Sequence, residues 1–295
     1  MYRSVWISIY RSIWITTASV LAVGAGPQRT PDPTVPQLLT AAGAYIADYE
    51  RSFATIVSEE RYEQTANMAA ARGGPSRRVM KSDLLTYHSG DAGWIAFRDV
   101  VEVDGVPVPD RTERLLKLVY EPTSHALDDA LRSTIESGRY NIGNMARTIN
   151  VPTIGLVFLR RENQARAAFE FDGMKTLGTM RVALVKFRER STPRMILTPD
   201  NTAATGRFWI EPDSGRVIQT EFTLTSRRYS ARIVVEYADQ PKLAVWVPVR
   251  MVEEYETSDD RTLGRSVGRP PTVNGEAVYQ NFRKFETSSR LIRKN

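Results

Sequence analysis

His88 and His125 are the only two histidines in the chain, so they bound the imidazole chemistry available near neutral pH. They lie far apart and lack the short helical spacing of a paired metal site. His88 precedes Ser89-Gly90-Asp91, which places Ser, His and Asp side by side. Triad members are brought together by a fold rather than by adjacency, and no Gly-x-Ser-x-Gly elbow occurs anywhere in the chain. His88 therefore reads as a turn residue, and His125, after Ser124, as an exposed residue at a helix start.

Carboxylates come in adjacent pairs at Glu59-Glu60, Asp128-Asp129 and Glu253-Glu254. Neighbours in sequence do not face one another on a helix or a strand, so these pairs read as solvated charges rather than as an acid–base couple. A calcium-type Asp-x-Asp-x-Asp loop and a phosphate-cradling glycine loop are both missing from the sequence. Cysteine is absent altogether, which excludes disulfides, thiolate nucleophiles, cysteine zinc sites, iron–sulfur clusters and lipobox acylation. No catalytic residue, metal ligand or cofactor is predicted.

The remaining chemistry is apolar. Trp209, Phe222, Tyr237, Trp246, Tyr255, Tyr279, Phe282 and Phe285 stud the strands of the second half of the chain. Inward strand residues ordinarily pack a core. On a curved sheet the same face can hold an apolar ligand. Under that reading the ligand-lining residues are Trp209, Phe222, Leu224, Val235, Tyr237 and Val247.

The elements that position them follow from periodicity. Leu38, Leu39, Ala42, Tyr45, Ile46, Tyr49, Phe53, Ile56 and Val57 recur at helical spacing behind Pro36, which predicts an N-terminal helix. The sequence predicts a loop over 69–75, strands over 82–88 and 94–103, and a hairpin turn at Asp104-Gly105. Short helices are expected over 110–120, where Asp110 and Glu113 suit a capping box, and over 123–138. Beyond 153 the chain reads as strands at 154–159, 167–171, 181–190, 206–211, 216–225, 231–237, 244–256 and 276–286. Asp172-Gly173, Asp213-Ser214-Gly215 and 238–241 supply turn signals. Residues 258–274 read as a long loop. Ile218, Thr220, Phe222 and Leu224 alternate with polar neighbours, the mark of an antiparallel sheet with one wet face. The fold class is α+β: a large curved antiparallel sheet, a half-barrel, with an N-terminal helix and one or two further helices packed on it.

Residues 1–25 have the pattern of a secretory signal: Arg3 and Arg11, an apolar stretch from Ile13 to Val23, and small residues ending at Ala25. The apolar part is too short for a confident membrane span, so no stable transmembrane anchor is expected after cleavage. Residues 26–36 hold four prolines and read as a tether, followed by one α+β domain over 37–290. The formal charge of the chain is +6, carried by basic residues dispersed among acids, so a nucleic-acid partner is not expected.

The stretch from Gly206 to Glu254 resembles the outer-membrane lipoprotein carrier-like superfamily. Trp209-Ile210-Glu211-Pro212, the Asp213–Gly215 turn, the strand from Val217 to Thr225 and Trp246-Val247-Pro248-Val249 carry the resemblance. A preceding helix and Gln280-Asn281-Phe282-Arg283-Lys284-Phe285 complete it. The resemblance implies a curved sheet wrapped around helices, whose apolar concave side binds acyl chains in the carrier members. It transfers no functional residue. The sequence thus leads to a periplasmic or secreted, non-catalytic binding protein for a lipid or other apolar ligand. A structural or interaction module with an envelope protein partner and a fully packed core is the second reading, and an exported hydrolase the third.

Overall fold

The computed structural model describes residues 31–53, 56–67, 76–89, 93–109, 128, 132, 134–143, 147, 149–257 and 271–284, with backbone only at 87–89 and 93–95. The predicted signal, most of the predicted 110–120 and 123–138 helices and residues 258–270 lie outside them. Helix α1 runs Val35–Phe53. It is started by Thr34, whose backbone N–H donates to Gln37 Oε1 at 2.9 Å while the Leu38 N–H donates to the Thr34 carbonyl at 3.0 Å. Gln37 thereby satisfies one N-terminal donor, as in a capping box. Leu38, Ala42, Ile46, Tyr49 and Phe53 form its buried stripe, as the sequence spacing predicts.

Eleven strands follow: β1 Ile56–Asn67, β2 Ser76–Ser89, β3 Gly93–Val103, β4 Val106–Pro107, β5 Ala167–Leu177, β6 Met180–Glu189, β7 Ala204–Ile210, β8 Val217–Thr225, β9 Tyr229–Gln240, β10 Val245–Thr257 and β11 Thr272–Lys284. They form one antiparallel sheet in the order β4-β3-β2-β1-β11-β10-β9-β8-β7-β6-β5. The last strand is inserted between β1 and β10, so the first and last strands pair in the middle of the sheet. Residues from Asp32 onward form one compact unit.

Several sequence expectations are corrected. Ile56 and Val57 do not extend the helix; they open β1, which the periodicity missed because its inward residues include Ser58, Glu60 and Gln64. Residues 154–159 are a 3-10 helix rather than a strand. A short apolar run suits either state, and here Leu156, Phe158 and Leu159 are buried in the core inside the sheet rather than added to its edge. Asp172-Gly173 is not a hairpin turn but a bulge inside β5, with Gly173 at φ 89° and the register broken between Phe171 and Met174. The turn expected at 238–241 sits later, between Gln240 and Val245, and β11 already begins at Thr272. Asp128, Arg132 and residues 134–137 are helical, within the expected 123–138 helix.

The hairpin turns read from Asp104-Gly105 and Asp213-Ser214-Gly215 are present. Asp104 and Gly105 both have positive φ, 50° and 83°, as a primed hairpin turn requires. Gly215 (φ 71°) lies directly against the backbone of Ala41 and Ala42, so the β7–β8 turn abuts α1 with no room for a Cβ.

Candidate functional site

The inner face of the sheet is chemically divided. Strands β5 to β9 present aromatic and aliphatic residues. The ring centroids of Phe158 and Phe187 are 4.6 Å apart, those of Phe187 and Phe208 4.8 Å, and those of Phe158 and Phe222 6.4 Å. Phe158 belongs to the Ile154–Leu159 turn, which inserts into this half beside α1. Such ring pairs add to the apolar burial that already favours packing.

Strands β1 to β3, β10 and β11 present a polar cluster instead. In β1, Glu60, Tyr62 and Gln64 alternate inward and are at most 1% exposed. The Arg98 guanidinium of β3 donates to both Glu60 oxygens, at 2.5 and 2.9 Å, and to the Asn150 carbonyl at 3.2 Å. The Tyr62 hydroxyl donates to Glu253 Oε2 of β10 at 2.9 Å and accepts from Arg147 Nη1 at 2.8 Å. Arg147 also donates to Gln64 Oε1, which the Ile142 N–H reaches at 3.1 Å. Two cations lie near the Tyr62 ring: Arg98 is 5.7 Å and Arg147 5.9 Å from its centroid. Arg147 is also 5.8 Å from the Tyr255 ring.

The electrostatics follow from burial. Glu253 is fully buried, which raises its carboxyl above the usual range, opposed by the Arg147 charge and the Tyr62 hydrogen bond. Burial, reinforced by Glu253, pushes the Tyr62 hydroxyl well above its ordinary value. Burial pulls Arg98 down, but the Glu60 carboxylate and its hydrogen bonds outweigh that and raise it overall, so Arg98 stays charged. Satisfaction in the cluster is incomplete. Arg147 Nε, Asn150 Nδ2 and Ser82 Oγ are buried without a hydrogen-bond partner, and Glu253 Oε1 and the Tyr255 hydroxyl lie together without a well-formed bond. Buried polar atoms left open are uncommon and costly, and they mark a place where a further polar group fits.

The sequence-predicted lining residues divide in two. Phe222, Leu224, Val235, Tyr237 and Val247 face inward, none more than 5% exposed, and pack in the core. Tyr237 also donates to the Pro152 carbonyl at 2.7 Å. Trp209 is placed on the opposite face: Phe208 and Ile210 beside it are buried, and strand alternation turns Trp209 outward, half-buried. The bulge between β7 and β8 at Trp209/Ile210 falls next to it.

Sequence reasoning missed the polar cluster. The sequence predicts both members of the Glu59-Glu60 and Glu253-Glu254 pairs to be solvated. Only one member of each pair is: Glu59 accepts from Asn281 at 2.7 Å and Glu254 pairs with Arg232 at 3.4 Å on the outer face, while Glu60 and Glu253 point inward. The available signal was phase. Met251, Glu253 and Tyr255 occupy successive inward positions of one strand, so a carboxylate stands where an apolar residue is due. His88 lies at a β2 position with backbone only, and His125 lies outside the described residues. Among the described residues there is no cluster of three or more groups able to hold a metal ion, and no helix is long and apolar enough to cross a membrane.

No protein-family model and no curated protein matches this chain. Among solved structures it is similar to a domain described as outer membrane lipoprotein-sorting from Vibrio parahaemolyticus, at 12% identity and a TM-score of 0.39, over 86% of this chain and 94% of that one. It is similar to a DUF1329 family protein from Desulfovibrio piger at 9% identity and a TM-score of 0.35, over 83% and 92% of the two chains. A LolA superfamily protein from Nitrosomonas europaea aligns at 9% identity and a TM-score of 0.33, over 89% and 99%. The strand order and register, not these similarities, define the fold of this chain.

Proposed function

We propose that this chain is an exported, non-catalytic binding protein for an amphiphile. The apolar chain of the ligand lies along the phenylalanine half of the concave face. Its polar end meets the Tyr62, Arg147 and Glu253 cluster. The observation that carries this reading is the division of one interior into an aromatic half and an incompletely satisfied polar half. Apolar walls with a few convergent polar groups are the ordinary make-up of a small-molecule site. The signal-like pattern over 1–25 and the lack of cysteine support export without acylation.

The interior is occupied by the chain itself, so uptake is an exchange. Phe158 fills the space between Phe187 and Phe222 that an acyl tail would take. Withdrawing one phenylalanine from a core costs about 1.5–3 kcal/mol, and each buried methylene returns about 0.8 kcal/mol. A tail of more than about four methylenes therefore outweighs the loss of Phe158. Non-catalytic action is supported by the site itself: its carboxylates are closed to solvent and tied to arginines and tyrosines.

A second reading, a scaffold with a permanently packed core, is favoured by the near-complete burial of five of the six predicted lining residues. One experiment separates the two. The full chain is titrated with a dansyl-labelled fatty acid, and the purified protein is examined by native mass spectrometry. A binding protein takes up the probe, and Phe158→Ala takes it up more tightly because the tail position is vacated. A scaffold ignores the probe in both forms, and Phe158→Ala then only lowers stability.

A further inference from the structure

Two contiguous grooves lie at the β5–β8 end of the sheet, about 670 and 640 Å³ in volume. Arg188 and Thr205 line both, so the grooves meet there. They are cross-strand partners in β6 and β7, flanked in register by Ala168 of β5 and Thr223 of β8. Arg188 thus stands in a row of small side chains, two of them hydroxyls.

Its charge is left open. Every other arginine within the described strands is ion-paired to a carboxylate, for example Arg207 and Arg232 with Glu221, Arg250 with Glu236 and Glu276, and Arg283 with Asp83. Arg188 has no such partner among the described residues. Cross-strand ion pairing is how an antiparallel sheet ordinarily neutralises a surface charge. The neighbouring acid Glu189 cannot serve, because it points the other way. It is 3% exposed and accepts from the N–H groups of Met195 and Ala204 at 2.6 and 3.1 Å. Exposed Arg190 also lacks a carboxylate partner among the described residues. Six basic side chains line the two grooves against three acids, Glu170, Glu221 and Asp200. Of these, Glu221 is held by Arg207 and Arg232, and Asp200 stands 3.9 Å from Arg228.

We propose that Arg188, with Arg190 and the hydroxyls of Thr205 and Thr223, binds a phosphate group of a larger molecule lying along the two grooves. A guanidinium fork matches phosphate oxygens in a bidentate manner, and phosphate has further acceptor oxygens for the flanking hydroxyls. Groove on either side of Arg188 leaves room for substituents on the phosphate. Phe187, which borders the first groove, is buried on the inward phase of β6 whereas Arg188 is on the exposed phase, and the proposal does not depend on the amphiphile assignment.

The test uses the full chain and two probes, inorganic pyrophosphate by calorimetry and phosphatidylglycerol vesicles by cosedimentation against phosphatidylcholine vesicles. Variants are Arg188→Gln and, as a control of equal charge change, Arg250→Gln, which lines neither groove. Wild type is expected to bind at least one probe, more weakly as salt rises. Arg188→Gln should lose about tenfold or more, the worth of one charge-assisted contact, while Arg250→Gln stays within about twofold. Pyrophosphate binding alone assigns a soluble phosphate compound, and selective vesicle binding assigns a lipid headgroup. The proposal is overturned if wild type binds neither probe, or if both variants lose affinity equally, since the effect is then one of net charge.

Discussion

The Tyr62 ring lies over Gly275: a Cβ at position 275 would stand 2.7 Å from both the Cε2 and the hydroxyl oxygen of Tyr62. Gln64 of β1 pairs with Gly275 of β11, and Gly275 pairs with Glu253 of β10. Tyr62 can therefore cross an entire strand to reach Glu253 only because the strand between them has no side chain at that point. One glycine in β11 thus holds together a cluster whose members come from β1, β10 and the Arg147 segment.

Gly275→Ala should cost about 1–3 kcal/mol, the usual range for overpacking a closed interior. The cost should shrink when Tyr62 is also truncated to Ala, because the clash partner is gone. Urea denaturation of the two single variants and the double variant measures the coupling. Additive costs would show that Gly275 is required for some reason other than Tyr62.

The Glu60–Arg98 pair makes a second prediction. Both side chains are at most 9% exposed. Removing one partner from a buried ion pair strands a charge, so Arg98→Met should cost about 3–5 kcal/mol. Glu60→Leu combined with Arg98→Met removes both charges and should recover most of that loss. Thermal and urea midpoints of the three variants are the measurement. A double variant no better than Arg98→Met would show that the pair does more than neutralise itself.

How far the sequence reveals this architecture differs between its two halves. Strands β8 and β9 are legible because Phe222, Leu224, Ile233 and Val235 keep one apolar phase opposite a polar one. Strand β1 is not, because its inward phase holds Ser58, Glu60, Tyr62 and Gln64, and a polar inward residue looks the same in sequence as a solvated one. The insertion of β11 between β1 and β10 is a long-range pairing that periodicity does not encode. The lining set follows the same logic. Five of its residues share a face because alternation places them there, and Trp209 falls on the other face because its phase is opposite to that of Phe208 and Ile210.

Gly215 and Gly178 allow a comparison within one molecule. Both have positive φ, 71° and 60°, but a Cβ at 215 would overlap the Ala41 backbone whereas one at 178 meets nothing within 4 Å. Gly178→Ala should cost about 1–2 kcal/mol, the backbone penalty alone. Gly215→Ala should cost more and should also expose α1 to protease, since the turn and the helix can no longer meet. Limited proteolysis with identification of the cut site separates the two effects. Equal costs, with α1 protected in both, would mean that the β7–β8 turn does not help to seat the helix.

Glu253 sets a pH dependence whose sign is fixed by burial. Its carboxyl is raised above the usual range in the folded state, so the folded protein holds that proton to a higher pH than the unfolded chain does. The stability it contributes is fully present below the ordinary carboxylate range and is lost as pH rises through its raised value. Tyr62, Tyr255, Arg147 and Arg98 are the titratable and charged groups acting on it, and only the arginines, with the hydrogen bonds from the two tyrosines, favour its ionised form. Glu253→Gln keeps an acceptor for the Tyr62 hydroxyl and removes the titration. The stability of wild type relative to Glu253→Gln should therefore fall steadily as pH is raised from the acid side of the carboxylate range toward neutrality. Urea midpoints of both proteins across that range supply the test. A relative stability that instead rises with pH would mean that the Arg147 and Arg98 charges and the tyrosine hydrogen bonds outweigh burial, so that the Glu253 carboxyl is lowered rather than raised in the fold.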